Sequence, residues 1–269
     1  MKKSMHGAKI LITGMHRSGT TLTYDLLAAH PDVKHIFNET PLLNLKPREL
    51  FKAKTLPDHR LIQSSGQVTM ETNVERVDHV VDFDRYQESW GNKMSYPSSM
   101  LGKGWAGTNE DYINQWQRTF GEHAVVVHII RHPFDIYLSS LRRWKDSEGF
   151  KSRNGEVTVD NVCRRWLDGV TRVLDIKSDI RIAHWLYEDV VMDTEKNLRG
   201  ILEHCDLDHS EETIASIIKR DVVFFGAVNK SRAFNHMKHD EPLKISDPAL
   251  AADVSALLKS VGYTEALDV

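Results

Sequence analysis

The stretch Gly14-Met15-His16-Arg17-Ser18-Gly19-Thr20-Thr21 sets a guanidinium between two glycines and follows them with two hydroxyls. Such a set can bind a strong anion. Backbone N–H groups of a glycine-bearing turn point outward, a helix starting near Thr20 presents the positive end of its dipole, and Arg17 adds a full charge. The spacing Gly14-x-x-x-x-Gly19 is that of the nucleotide P-loop, yet Thr20 stands where the P-loop lysine belongs. That lysine reaches the outer phosphates, and the hydroxyl after it holds magnesium. Here the cation has moved inside the loop. The pattern predicts an anion gripped by backbone, guanidinium and hydroxyls, with no metal required.

A second constellation follows the run Ala124–Ile130. Arg131 stands at the end of an apolar, β-branched segment, and Ser139 comes after Pro133 by about 9 Å of helix. A guanidinium at a strand end and a hydroxyl on the next helix can grip a second phosphate.

These side chains need a scaffold. Ile10, Leu11 and Ile12 read as a strand buried on both faces, and Leu22, Leu26, Leu27 and Ala29 recur at helical spacing until Pro31. Val33 to Phe37 reads as a second strand, ending at Asn38-Glu39-Thr40-Pro41. Residues 42–54 read as helix broken at Pro47, 56–86 give conflicting signals, and Ser95 to Gly107 reads as loop. Asp111 to Phe120 is expected to be helical, and Pro133 suits the first turn of a helix after the strand Ala124–Ile130. A further helix is expected over 158–174, then a strand Arg181–Leu186. Thr194, Ser210 and Asp247-Pro248 are expected to open three more helices. Alternation of this kind predicts an α/β fold over 1–269 as one domain: a central parallel sheet with helices on both faces. Ligands of such sheets lie beyond the strands' carboxyl ends, where Arg17, Glu39, Arg131 and Tyr187 fall.

Composition narrows the classes of function. With 269 residues, 41% hydrophobic and 27% charged, the chain is ordinary globular material able to bury a sizeable core. A formal charge of -3 gives no general attraction to nucleic acid or anionic lipid, so no nucleic-acid partner is expected. No run approaches the ~20 apolar residues of a membrane span, and the N-terminal apolar run is too short for a signal peptide. Cys163 and Cys205 both fall on apolar helix faces and read as buried thiols of a reducing compartment, so a cytoplasmic location is expected. The fourteen histidines are scattered without metal-ligand spacing, and no metal site is expected.

Arg17-Ser18-Gly19-Thr20-Thr21-Leu22 resembles the 5'-phosphosulfate loop of the sulfotransferases that use 3'-phosphoadenosine 5'-phosphosulfate (PAPS), in the form common among carbohydrate and protein-tyrosine members. The resemblance implies a P-loop-like nucleotide-binding fold in which Arg17, Ser18, Gly19, Thr20 and Thr21 hold the 5'-phosphate and sulfonate. Arg131 and Ser139, eight positions apart, resemble that family's 3'-phosphate motif, although His132 stands where the family usually has Asp or Asn. His184-Trp185-Leu186-Tyr187-Glu188-Asp189-Val190 resembles its third signature, which implies an adenine contact for Tyr187 and supporting roles for Glu188 and Asp189. The three segments, 9–30, 124–145 and 181–207, follow in family order.

The implied activity is transfer of a sulfuryl group from PAPS to an acceptor hydroxyl of a carbohydrate or small molecule, releasing adenosine 3',5'-bisphosphate without a metal. Arg17 would stabilise the departing phosphate oxygen. Lys93 resembles a lysine found after a strand in several branches, where it touches the sulfonate. Glu39 stands where a glutamate serves as base in the branches the loop resembles, and the cytosolic type's histidine has no counterpart in Met94-Ser95-Tyr96. Asn229-Lys230-Ser231-Arg232 loosely resembles a basic segment over the 3'-phosphate. A P-loop kinase of a small metabolite and a non-catalytic nucleotide-binding module are the alternatives. Acceptor identity and oligomeric state are not legible.

Overall fold

Ile10, Leu11 and Ile12 are fully buried because strand β1, Lys9–Met15, lies in the middle of a sheet and offers a side chain to each face in turn. The computed structural model describes residues 7–38, 50–55, 75–80, 89–96, 108–148, 151, 155–177, 179–219, 230 and 233–264. After β1 come helix α1 (Thr20–Ala28), β2 (Val33–Asn38), β3 (Leu50–Thr55), β4 (Glu75–Val80) and β5 (Ser89–Tyr96). Then follow α2 (Asn109–Phe120), β6 (Ala124–Ile130), α3 (Pro133–Trp144), α4 (Val159–Leu174) and β7 (Arg181–Leu186). The remaining helices are α5 (Tyr187–Met192), α6 (Thr194–His204), α7 (Glu211–Lys219) and α8 (Pro248–Ser260).

Five strands in the order β2-β5-β1-β6-β7 pair in parallel, so every carboxyl end lies on one edge of the sheet. The pleat divides the core. Leu11, Met94, Val126 and Ile130 face one side, under Trp116 of α2, Trp166 of α4 and Val254 of α8. Ile10, Ile12, Val125 and Val127 face the other, under Leu27 of α1, Leu198 and Ile201 of α6 and Ile214 of α7. This is the α/β architecture expected, with both faces of a parallel sheet covered. A line of polar groups crosses the first face: Tyr96 meets His128 at 2.9 Å, and His128 meets His184 on β7 at 2.9 Å.

Three local expectations fail. Residues 50–55 are strand, paired antiparallel with β4 in a small separate sheet, where a helix was expected over 42–54. Phe51-Lys52-Ala53-Lys54-Thr55 alternates with period two, which suits a strand; residues 42–49 lie outside the described residues. Trp90 to Tyr96 is a central strand, although Ser95 and Tyr96 were expected to begin a loop and Lys93 to follow a strand. Its polar residues are buried because they have partners, as with Asn92, which donates to the Tyr112 hydroxyl at 3.0 Å. At the start of α6 the capping side chain is Asp193, accepting from the Lys196 N–H at 3.3 Å; Thr194 is the first helical residue.

Candidate functional site

The loop between β1 and α1 is shaped by its main chain. Ser18 donates its N–H to the Met15 carbonyl at 3.0 Å, closing a tight turn, and His16 donates to the Tyr96 carbonyl at 2.8 Å, tying the turn to the end of β5. Arg17 takes φ 71°, a left-handed conformation that a residue with a Cβ adopts at a cost of about 1 kcal/mol. Gly19 has φ 99°, and a Cβ there would also run into the Tyr187 ring, so no other residue fits. No side chain caps the N-terminus of α1, which leaves its first N–H groups directed outward. The Ser18 hydroxyl is buried and lacks a hydrogen-bond partner among the described residues. An anion's oxygen is the kind of acceptor that would satisfy it. Thr20 and Ser95 share a hydroxyl–hydroxyl bond of 3.0 Å that fixes the first helical side chain against β5.

The second corner is built from side chains. Pro133 opens α3, and His132 caps it: its Nδ1 accepts the Phe134 N–H at 3.3 Å, leaving the ring proton on Nε2. His132 therefore serves as the N-cap of α3. Burial, aided by the nearby His236, drives its pKa down to about 3, so the ring is neutral. Arg131 has its carbonyl held by the Trp166 indole at 2.9 Å. Its guanidinium donates to the Arg17 carbonyl at 3.0 Å, approaches Asp135 at 3.5 Å and lies 4.3 Å from the centre of the Tyr187 ring. Glu188 accepts from the His132 N–H at 3.2 Å and from the Tyr263 hydroxyl at 2.5 Å. Burial raises the Glu188 carboxyl above the usual range against the pull of Tyr263.

The two corners meet. Arg17 donates through Nε to the Ser139 hydroxyl at 3.0 Å, and its guanidinium lies 5.7 Å from the Trp144 ring at the end of α3. His16 packs edge-on against the same indole at 5.8 Å. Arg17, Ser18, Gly19, Thr20, Thr21, Arg131 and Ser139 thus gather at the carboxyl ends of β1 and β6, the edge expected for a ligand. Tyr187 is wedged between Gly19 and Arg131. Lys93 is buried within β5, level with Ile12 rather than with the loop. Glu39 lies outside the described residues, as do Asn229, Ser231 and Arg232, while Lys230 is exposed. Among the described residues no group of three or more His, Cys, Asp or Glu side chains is arranged to hold a metal, and no helix is long and apolar enough to cross a membrane. Both cysteines are buried free thiols.

Several contributors were invisible in the sequence. Ser95 and Trp144 carry no motif. Asp135 had a signal, since it stands four residues after Arg131 at the start of a helix, where such pairs face each other. His236 and Tyr263 had none.

The family model described as "Sulfotransferase family" matches residues 9–211. No curated protein matches the chain. Among solved structures, the sulfotransferase domain from the curacin biosynthetic pathway is 15% identical, with TM-score 0.62, covering 97% of this chain and 99% of that one. The sulfotransferase domain from the Synechococcus PCC 7002 olefin synthase is 19% identical, with TM-score 0.57 and 98% of each chain covered. A sulfotransferase from Mycobacterium avium is 15% identical, with TM-score 0.52, covering 98% of this chain and 79% of that one. At these identities the likeness is one of fold.

Proposed function

The chain belongs to the sulfotransferase family, and from that premise we propose that it moves a sulfuryl group from PAPS to the hydroxyl of a carbohydrate or other small molecule. Adenosine 3',5'-bisphosphate is the second product. The observation that carries this reading is the contact between the two anion-binding corners: Arg17 reaches Ser139 at 3.0 Å and Arg131 reaches the Arg17 carbonyl at 3.0 Å. A nucleotide with phosphates on both its 5' and 3' sides uses both corners at once. A nucleoside triphosphate uses only the first.

In this reading the N–H groups at the start of α1 and the hydroxyls of Ser18, Thr20 and Thr21 hold the 5'-phosphate. Arg131 and Ser139 hold the 3'-phosphate, and Tyr187 borders the adenine. The S–O bond to the phosphate breaks as the acceptor oxygen bonds to sulfur. Negative charge then grows on the departing phosphate oxygen, where the Arg17 guanidinium stabilises it. Lys93 is the second cation assigned to the sulfonate, on the resemblance alone. The acceptor's proton goes to Glu39, assigned as base from its place after β2. Titration calorimetry tests the whole. Adenosine 3',5'-bisphosphate is expected to bind in EDTA far more tightly than ADP or ATP, and magnesium is expected to change nothing. Preference for magnesium-ATP would instead replace this reading with that of a P-loop kinase. Glu39→Gln is expected to keep nucleotide affinity and lose turnover; unchanged turnover would remove Glu39 as base.

A further inference from the structure

Arg131 is an enclosed cation. Its side chain is 7% exposed, and a guanidinium so placed needs a partner to offset lost hydration. Asp135, fully buried, supplies that partner at 3.5 Å. A buried carboxylate needs donors in turn, and these come from far along the chain. The Asn235 N–H donates to Oδ2 at 3.3 Å, the His236 N–H to Oδ1 at 2.8 Å, and the His236 Nδ1–H to Oδ1 at 3.0 Å. Burial alone would push the Asp135 carboxyl up, but the His236 hydrogen bond and the Arg131 charge outweigh it and hold the group below its usual range. The His236 ring also lies flat on His132, 3.8 Å centre to centre and 7° from parallel. One carboxylate is thus shared between the arginine and the short turn Asn235–Lys238 near the C-terminus.

We propose that Asp135 and His236 are positioning residues for the second anion site, through which filling that site and docking the Asn235–Lys238 turn are coupled. Neither residue touches the phosphate. Asp135 sets the azimuth of the guanidinium toward the anion site. His236 and the two N–H groups draw charge off Asp135, so that a carboxylate can sit beside an anion site without repelling the anion. If the turn leaves, Asp135 keeps only Arg131, pairs more closely with it, and withdraws the arginine from the ligand. Binding of a 3'-phosphate and docking of the turn therefore favour each other. The inference rests on the reading above that Arg131 meets a 3'-phosphate.

The test compares adenosine 3',5'-bisphosphate with adenosine 5'-monophosphate by calorimetry, the ratio of affinities isolating the 3'-phosphate. His236→Ala and Asp135→Asn are expected to lower that ratio about tenfold while monophosphate affinity stays within about twofold, as for loss of a charge-assisted hydrogen bond. His236→Asn, which restores a side-chain N–H, is expected to recover part of the ratio. Equal losses for both nucleotides would mean a merely structural role and overturn the proposal. Should the variants not fold, hydrogen exchange on the wild-type protein decides. Amides of 233–239 are expected to slow with the bisphosphate and not with the monophosphate, and equal slowing would overturn the coupling. A wild-type ratio near one would instead remove the 3'-phosphate reading, and the inference with it.

Discussion

Between Gly14 and Thr21 the groups proposed to meet an anion belong to one contiguous run, shaped by main-chain hydrogen bonds of the turn and by the uncapped start of α1. Around Arg131 the groups are side chains from the end of β6, from α3, α4 and α5, and from His236 and Tyr263, and apart from the local pair Arg131–Asp135 they meet only through tertiary contact. The first corner takes its shape from the turn between one strand and one helix and is tied to β5 through His16 and Thr20. The second exists only once the whole sheet is covered. A backbone cradle is therefore broken by adding atoms, whereas a side-chain corner is broken by removing them.

The sharpest contrast comes from Gly19→Ala. The added methyl meets the Tyr187 ring at a left-handed backbone position, and a destabilisation of about 3 kcal/mol is expected in denaturant unfolding, with loss of nucleotide binding. A stable, binding-competent variant would mean that the cradle is softer than its geometry. Next in size, Arg131→Ala is expected to weaken adenosine 3',5'-bisphosphate binding by about 2 kcal/mol and leave the monophosphate nearly unaffected, read by calorimetry. Equal loss for both would merge the two corners into one.

Acidification should strike the side-chain corner and the polar line across the sheet. His132 is held neutral by burial with a pKa near 3, and His128, fully buried between Tyr96 and His184, is also driven well below its usual value. Unfolded, each takes up a proton below about pH 6.5, so stability is lost as pH falls through that value. From pH 7 to 5 the loss is about 2 kcal/mol per histidine. Glu188, whose pKa is raised in the fold, works in the opposite sense at lower pH. Urea midpoints measured from pH 7 to 5 check this, and substituting His132 by Asn, which can still cap α3, should remove its share of the slope. The smallest effect belongs to the cradle: Ser95→Ala deletes the hydroxyl bonded to Thr20 and is expected to cost about 1 kcal/mol of stability.

The same contrast explains what the sequence disclosed. Strands Ala124–Ile130 and Arg181–Leu186 were legible to the residue because continuous β-branched or apolar runs have few alternatives, and the loop was legible because its spacing is local. β5 was not, since Gly91, Asn92, Lys93 and Ser95 resemble loop residues until Tyr112 and Thr20 arrive to satisfy two of them. The groups around Arg131 were hidden in part for a related reason. Asp135 stands within helical reach of Arg131, but His236 and Tyr263 acquire meaning only through contacts 101 and 75 residues apart in the chain, to Asp135 and Glu188, and no periodicity records those.

One feature of the loop makes the protein its own instrument. The Arg17 guanidinium rests near the indole of Trp144, which is only partly buried, while Trp166 is sealed in the core. A cation drawn toward a bound anion changes the electric field on the first chromophore and leaves the second undisturbed. Ligand arrival at the cradle can then be followed by intrinsic fluorescence, without a label, and the Trp144→Phe protein serves as the dark control.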